Sequence, residues 1–185
     1  MEQGFCMPFR TILLNGKEVT AEYQAIGSGA SESSEILLYW LREQFGQHGP
    51  RFGCGLAQCG ACTVLVDDVP TRSCVVQLHT VEDLAEVRTL DGLSHDEKDP
   101  HPLQREFVEL QAGQCGFCIN GMIMGSLGWI EGRIAGGDRS VPSEDEVKAF
   151  LSGAAPGNTR NYICRCGTHT RIVAAIRSAA EEMAR

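Results

Sequence analysis

The chain of 185 residues carries nine cysteines. Cys54, Cys59, Cys62 and Cys74 form one group, and Cys115, Cys118, Cys164 and Cys166 form another. Cys6 stands apart and reads as a free thiol in an N-terminal tail. A thiolate can act as a nucleophile, a disulfide half or a metal ligand. No catalytic acid, base or nucleophile constellation accompanies these cysteines. The opening Met1-Glu2-Gln3-Gly4-Phe5-Cys6 has no basic segment leading into an apolar run, so no secretory leader is read there. The expected setting is therefore the cytoplasm, with any membrane association coming through a partner. Disulfides are rare in that compartment, and grouped thiols there point to metal.

The first group has the spacing C-x4-C-x2-C, Cys54 to Cys62, with Cys74 downstream. This is the spacing of plant-type ferredoxins, whose 2Fe–2S cluster needs thiolates converging from all sides. A loop wrapping such a cluster must bring its backbone close to inorganic sulfur. Gly53, Gly55 and Gly60 permit that approach. Their amides, aimed inward, would stabilise an anionic group. Structural zinc also takes four cysteines, but usually from paired C-x2-C knuckles, which this loop is not.

The second group pairs Cys115-Gly116-Phe117-Cys118 with Cys164-Arg165-Cys166. Each is expected at the start of a helix, so that two positive helix ends face one anionic centre. Spacing alone leaves zinc and iron–sulfur both open here.

The elements that must hold these loops are legible in outline. Arg10 to Leu14, the turn Asn15-Gly16 and Lys17 to Gln24 predict a hairpin. Ala25 to Ser33 reads as a loop. Ser34 is expected to cap a helix over Glu35 to Arg42. Gly46 to Gly60 reads as a loop, and Thr63 to Val66 as a buried strand turned by Asp67-Asp68. Short strands are expected at Ser73 to Gln77 and Glu86 to Thr89. The second half predicts four helices, Pro102 to Ala112, Cys118 to Glu131, Glu144 to Leu151 and Thr168 to Met183. Ser143 with Glu146 forms a capping box, and Thr168 is expected to cap the last helix. Its apolar face is Ile172, Val173, Ile176, Ala179 and Ala180. A polar stretch, Asp91 to His101, marks the division, giving units 1–92 and 93–185. The stretch Met122 to Ile130 is apolar but too short to span a bilayer. Apolar residues make up 43% of the chain, enough for a packed core, and the net charge of −8 without a basic run argues against nucleic acid.

Three motifs together, Cys54-Gly55-x-x-x-Cys59-Gly60-x-Cys62, Gln114-Cys115-Gly116-Phe117-Cys118 and Cys164-Arg165-Cys166-Gly167, resemble the iron–sulfur subunit of molybdenum hydroxylases, the xanthine oxidase family. The resemblance runs from about Thr11 to Ala180. It implies an α+β chain: a β-grasp 2Fe–2S ferredoxin-like domain, then a four-helix domain with a second 2Fe–2S cluster. The eight grouped cysteines become the ligands, which settles the second group as iron–sulfur. Gln114 would bond the pterin of a molybdenum cofactor, in its cytosine dinucleotide form, held by a large catalytic subunit. Electrons would leave that centre singly, pass the Cys115/Cys118/Cys164/Cys166 cluster, then the Cys54/Cys59/Cys62/Cys74 cluster nearer the surface. The external acceptor would be a cytochrome c or an FAD-containing partner.

Phe52 to Thr63, Cys118-Ile119-Asn120-Gly121-Met122 and Cys166-Gly167-Thr168-His169 are similar to the isoquinoline oxidoreductase and nicotinate dehydrogenase branch. That implies hydroxylation of an N-heteroaromatic substrate. The alternatives are the same role in an aldehyde-oxidising enzyme and a free-standing two-cluster carrier. Ile119-Asn120 departs from the Thr-Pro common in the wider family. Ala25 to Ser34 and Ala154 to Tyr162 look inserted. Arg165 is read as balancing cluster charge or pairing across a contact with another chain. His48, His79, His95 and His101 are read as surface residues, His169 as packing, and Trp40 and Trp129 as core or interface.

Overall fold

The computed structural model describes residues 8–26, 33–94, 98–155 and 160–185. Cys6, His95 and the inner parts of both inserts lie outside the described residues. Strands β1 (Phe9–Leu14) and β2 (Lys17–Glu22) are joined by Asn15 and Gly16 at φ 51° and 76°. That is the primed turn whose twist matches a hairpin. β3 (Ala25–Ile26) pairs with β4 (Ser33–Ser34), so the ends of the first insert are strand rather than loop. Helix α1 (Leu37–Phe45) follows and stops at Gly46, φ 62°. β5 (Thr63–Val66) and β6 (Val69–Arg72) are turned by Asp67 and Asp68, and β7 (Glu86–Arg88) completes the strands. The helices are α2 (Pro102–Glu109), α3 (Ile119–Ala135), α4 (Glu144–Ser152) and α5 (His169–Met183).

The main sheet has five strands in the order β2-β1-β7-β5-β6. β1 and β7 run parallel and the other neighbours antiparallel. Ile12, Leu14, Val64 and Val87 point to one face, where Leu37, Trp40 and Leu41 of α1 cover them. The buried Trp40 indole donates to the Glu22 carbonyl at 3.1 Å, which satisfies its one polar atom. β5 is buried on both faces. Its Leu65 turns the other way and joins the helical core of Met122, Met124, Leu127, Phe150, Ile172 and Ile176. The two halves therefore share a packed surface, with α3 lying across it. The apolar face expected for α5 is buried throughout.

Local chemistry explains the departures. Ser34 does not cap α1. Ile36 occupies that position, and the Ser34 hydroxyl accepts from the His79 amide at 3.0 Å instead. Ser73 to Gln77 is not a strand, because Ser73–Val75 coils into a 3-10 turn while the Ser73 hydroxyl donates to the Cys62 carbonyl at 2.7 Å. α2 ends before Ala112 because Gln111 takes φ 52° and the Ala112 amide turns back to the Phe107 carbonyl. The capping box of Ser143 and Glu146 forms as expected. Thr168 holds the N-cap position of α5 without a side-chain capping bond. His101 is no surface residue: half-buried, it caps α2 by accepting from the Leu103 amide, and burial holds its pKa below the usual value. Among the described residues no helix is long and apolar enough to cross a membrane.

Helix α3 meets the first cysteine loop through a glycine. A Cβ built at Gly121 would lie 2.2 Å from the Gly60 carbonyl oxygen, whereas one at Gly132 meets nothing within 4 Å. Gly121→Ala should cost about 1–3 kcal/mol by pushing helix and loop apart. Gly132→Ala, on an exposed helical turn, should instead stabilise by up to about 1 kcal/mol. Denaturant midpoints of the two variants check this, and equal shifts would refute the close contact.

Candidate metal centres

The first group of cysteines sits on a loop that has no periodic structure and is shaped by close approach. A Cβ at Gly53 would lie 2.6 Å from the Cys59 sulfur. Gly60 takes φ 85°, with the Tyr162 ring 2.7 Å from where a Cβ would stand. Ala57 shares the left-handed conformation at φ 58°, a cost the loop accepts to turn its amides inward. The amides of Leu56, Gln58 and Cys59 all point at Cys54 Sγ, each at 3.3 Å. Partial burial pushes the Cys54 thiol up, but these three donors outweigh it and hold it at about 7. Converging amides of this kind favour an anion.

Cys62 and Cys74 are buried against Leu38. The 3-10 turn after β6 brings Cys74 beside Cys62. Burial pushes the Cys62 thiol up to about 12, and its hydrogen bond and charge interaction with Cys74 add to that. Cys54 and Cys59 likewise form a hydrogen-bonding pair.

The second group forms two pairs as well, Cys115 with Cys166 and Cys118 with Cys164. Its cysteines mostly precede the helices rather than sitting inside them. Cys118 is the N-cap of α3, while α5 starts only after Thr168. Burial raises Cys118 to about 12, reinforced by the shared hydrogen bond and charge of Cys164. Burial also raises Cys164, but the Thr168 hydroxyl, 3.5 Å from its sulfur, and the Thr168 amide prevail and bring it to about 7. Cys115 is exposed, as are its chain neighbours Gln114 and Phe117 and, next to Cys164, Ile163. Gln114 caps no helix, and makes no hydrogen bond within the described residues. Arg165 and His169 are exposed too, so His169 is not a packing residue.

Both groups offer four soft sulfur donors. Among the described residues no three His, Cys, Asp or Glu side chains converge as they would on a single ion. Within each sequence group the thiols come as two pairs. Two thiols per metal atom, two metal atoms per quartet, is the donor demand of a dinuclear cluster.

The quartets are joined by direct bonds. The Ile163 amide, next to Cys164, donates to the Cys59 carbonyl at 3.0 Å. Asn120, two residues past Cys118, donates from Nδ2 to the carbonyls of Ala61 and Thr63, both at 2.9 Å. Arg51 donates to the Gly116 carbonyl at 2.6 Å while its own amide bonds Ala61. The sequence flagged Asn120 as a departure and Tyr162 as part of an insert. It carried no signal for Arg51 or Arg72, whose partners Gly116 and Asn161 lie far along the chain.

The chain matches a family model described as a [2Fe-2S] binding domain over residues 89–177. It is 42% identical over 145 residues to a nicotinate dehydrogenase subunit of Pseudomonas putida, covering 78% of this chain and 82% of that protein. It is 38% identical over 148 residues to the alpha subunit of isoquinoline 1-oxidoreductase of Brevundimonas diminuta, covering 80% and 86% respectively. Among solved structures, quinoline 2-oxidoreductase from Pseudomonas putida 86 superposes with a TM-score of 0.76 at 30% identity, over 97% of this chain and 96% of that one. The chain belongs to the iron–sulfur subunits of the molybdenum hydroxylases. It is thus part of an oxidoreductase.

In metal-free protein, the two thiols held near 7 should be partly ionised at neutral pH, and the two near 12 not at all. Iodoacetamide near neutral pH should therefore label Cys54 and Cys164 at least about tenfold faster than Cys62 and Cys118. Raising pH above 7 should level off the rates of Cys54 and Cys164 as they approach full ionisation, while Cys62 and Cys118 stay slower and keep rising. Peptide mass spectrometry reads the order, and uniform rates would contradict the assigned environments.

Proposed function

We propose that this chain is an electron-transfer subunit holding two 2Fe–2S clusters. Cys54, Cys59, Cys62 and Cys74 ligate one, and Cys115, Cys118, Cys164 and Cys166 the other. The observation that carries this is the pairing of thiols within two quartets that direct hydrogen bonds link. When bound, a 2Fe–2S cluster supplies a one-electron couple. The chain's own residues then do the rest. The amides around Cys54 and the Thr168 donors stabilise thiolate. Leu38 and the sheet exclude water from Cys62 and Cys74. The Cys59 carbonyl and Ile163 amide make a short bonded route between the quartets.

The five-stranded sheet with α1, residues 1–92, fits a β-grasp domain, and α2 to α5, residues 93–185, a four-helix domain. The exposed run of Gln114, Cys115 and Phe117 suits a face that a large catalytic partner covers. There Gln114 would bond the pterin of a molybdenum cofactor, in its cytosine dinucleotide form. The first quartet then lies toward an external acceptor, a cytochrome c or an FAD-containing partner. The named relatives favour an N-heteroaromatic substrate.

Electron paramagnetic resonance of the dithionite-reduced complex should show two distinct signals together integrating to two spins per chain. Cys59→Ser should remove one and Cys118→Ser the other, since losing a ligand removes the metal-binding energy. A single signal in the native complex would overturn the proposal.

Gln114→Glu offers a separate check. A neutral amide both donates and accepts, whereas an ionised carboxylate only accepts. Both signals should persist, folding should be unaffected, and pterin contact should weaken by about 1–3 kcal/mol. Slower cluster reduction by substrate or lower molybdenum content is the expected result. Unchanged values of both would remove Gln114 from the pterin site.

A further inference from the structure

Arg72 is a buried cation that meets no carboxylate among the described residues. Its side chain is 4% exposed, in the strand register opposite Thr63 and two residues before Cys74. Its partners among the described residues are all neutral. Nη1 donates to the Thr63 hydroxyl, and Nη2 donates to the Asn161 carbonyl at 2.8 Å. The guanidinium lies 4.3 Å from the centre of the Tyr162 ring. Nε is buried with no partner. The other arginines among the described residues with a buried, unpartnered Nε, Arg10 and Arg88, each meet a carboxylate, Asp83 for the first and Asp68 and Glu131 for the second. Arg72 meets none among the described residues.

A permanently charged group cannot escape burial by losing its proton, and an uncompensated buried charge is strongly unfavourable. Something negative must stand near it in the working protein. The described groups of that kind at this place are the thiols of the first quartet: Cys62 adjoins Thr63 in β5, and Cys74 follows on the turn out of β6. On its other side Arg72 holds Asn161 and Tyr162, the segment that leads to Cys164. The cation therefore stands between the quartets, on the side of the first.

We infer that Arg72 is the internal counter-charge of the Cys54/Cys59/Cys62/Cys74 centre and sets its reduction potential. It acts as a positioning and tuning residue, not a catalytic one. The inference rests on the iron–sulfur reading above. A fixed positive charge stabilises the reduced form, which carries one more negative charge, over the oxidised form. Removing it must favour the oxidised form and lower the potential. The Lys side chain keeps the charge and loses the planar fork, so it separates charge from hydrogen-bond geometry.

The test is a redox titration, followed by electron paramagnetic resonance, of the complex purified with its large catalytic partner. Wild type, Arg72→Met and Arg72→Lys are compared, with Cys59→Ser identifying the signal of the first centre. Arg72→Met should shift the reduction equilibrium of that centre about tenfold toward the oxidised form, about 59 mV for one electron. The other centre should move less. Arg72→Lys should stay within about threefold of wild type. Unchanged potentials in Arg72→Met, or an equal fall in both variants, would overturn the role of Arg72. Should Arg72→Met fail to assemble the centre, Arg72→Lys decides: a wild-type potential supports a charge requirement and a lowered one overturns it. Absence of iron from the wild-type complex would instead overturn the iron–sulfur reading itself.

Discussion

The amide of Asn120 donates to two carbonyls of the loop around Cys62, and beside it Gly121 lets the backbone of α3 rest on Gly60. Everything else about the site depends on that seat. Cys118 caps the same helix, so its position relative to the first loop is set within a residue or two. The Ile163 amide closes the other side on the Cys59 carbonyl. Two loops that would each be costly to order alone are thereby ordered together, and the polar groups their close contact buries are mutually satisfied. A larger residue at Gly121 or a non-donor at Asn120 would separate the quartets before it disturbed either.

This seat also explains a departure from the family pattern. Asn120 stands in the Ile119-Asn120 pair where much of the family carries Thr-Pro. A proline has no side-chain donor, so it could not supply the two bonds to Ala61 and Thr63. In this chain an amide ties helix to loop. The Asn120 oxygen, buried without a hydrogen-bond partner among the described residues, is the cost of placing the donor there.

Electrostatics divides the two quartets by different means. Around Cys54 the loop uses backbone amides and the Cys59 thiol, and around Cys164 a threonine that begins a helix. Cys62 and Cys74 have burial and the neighbouring guanidinium of Arg72 instead. Three kinds of positive environment thus serve one type of donor. Arg165 lies between two ligands in sequence yet is exposed, while Arg72, which no spacing singled out, is the buried cation.

The sequence alone determined the two cysteine groups, the hairpin at Asn15-Gly16, the buried strand before Asp67 and the four helices of the second half. Each rests on local chemistry: left-handed turn residues, apolar period, capping pairs and the small set of spacings that wrap a cluster. The family match followed from the same residues in their order. Only the tertiary structure decided how the halves meet. That Asn120 reaches Ala61, that Ile163 reaches Cys59 and that Arg72 lies against Tyr162 are contacts between residues 57 to 104 positions apart. No periodicity records them. Two of the misread places share this cause. Ser34 turns from capping to His79, and Ser73 to Gln77 coils rather than extends, because distant partners, His79 and Cys62, outbid the local preference. Side-chain bonds to remote backbone are decided by packing, and packing exists only once the chain has folded.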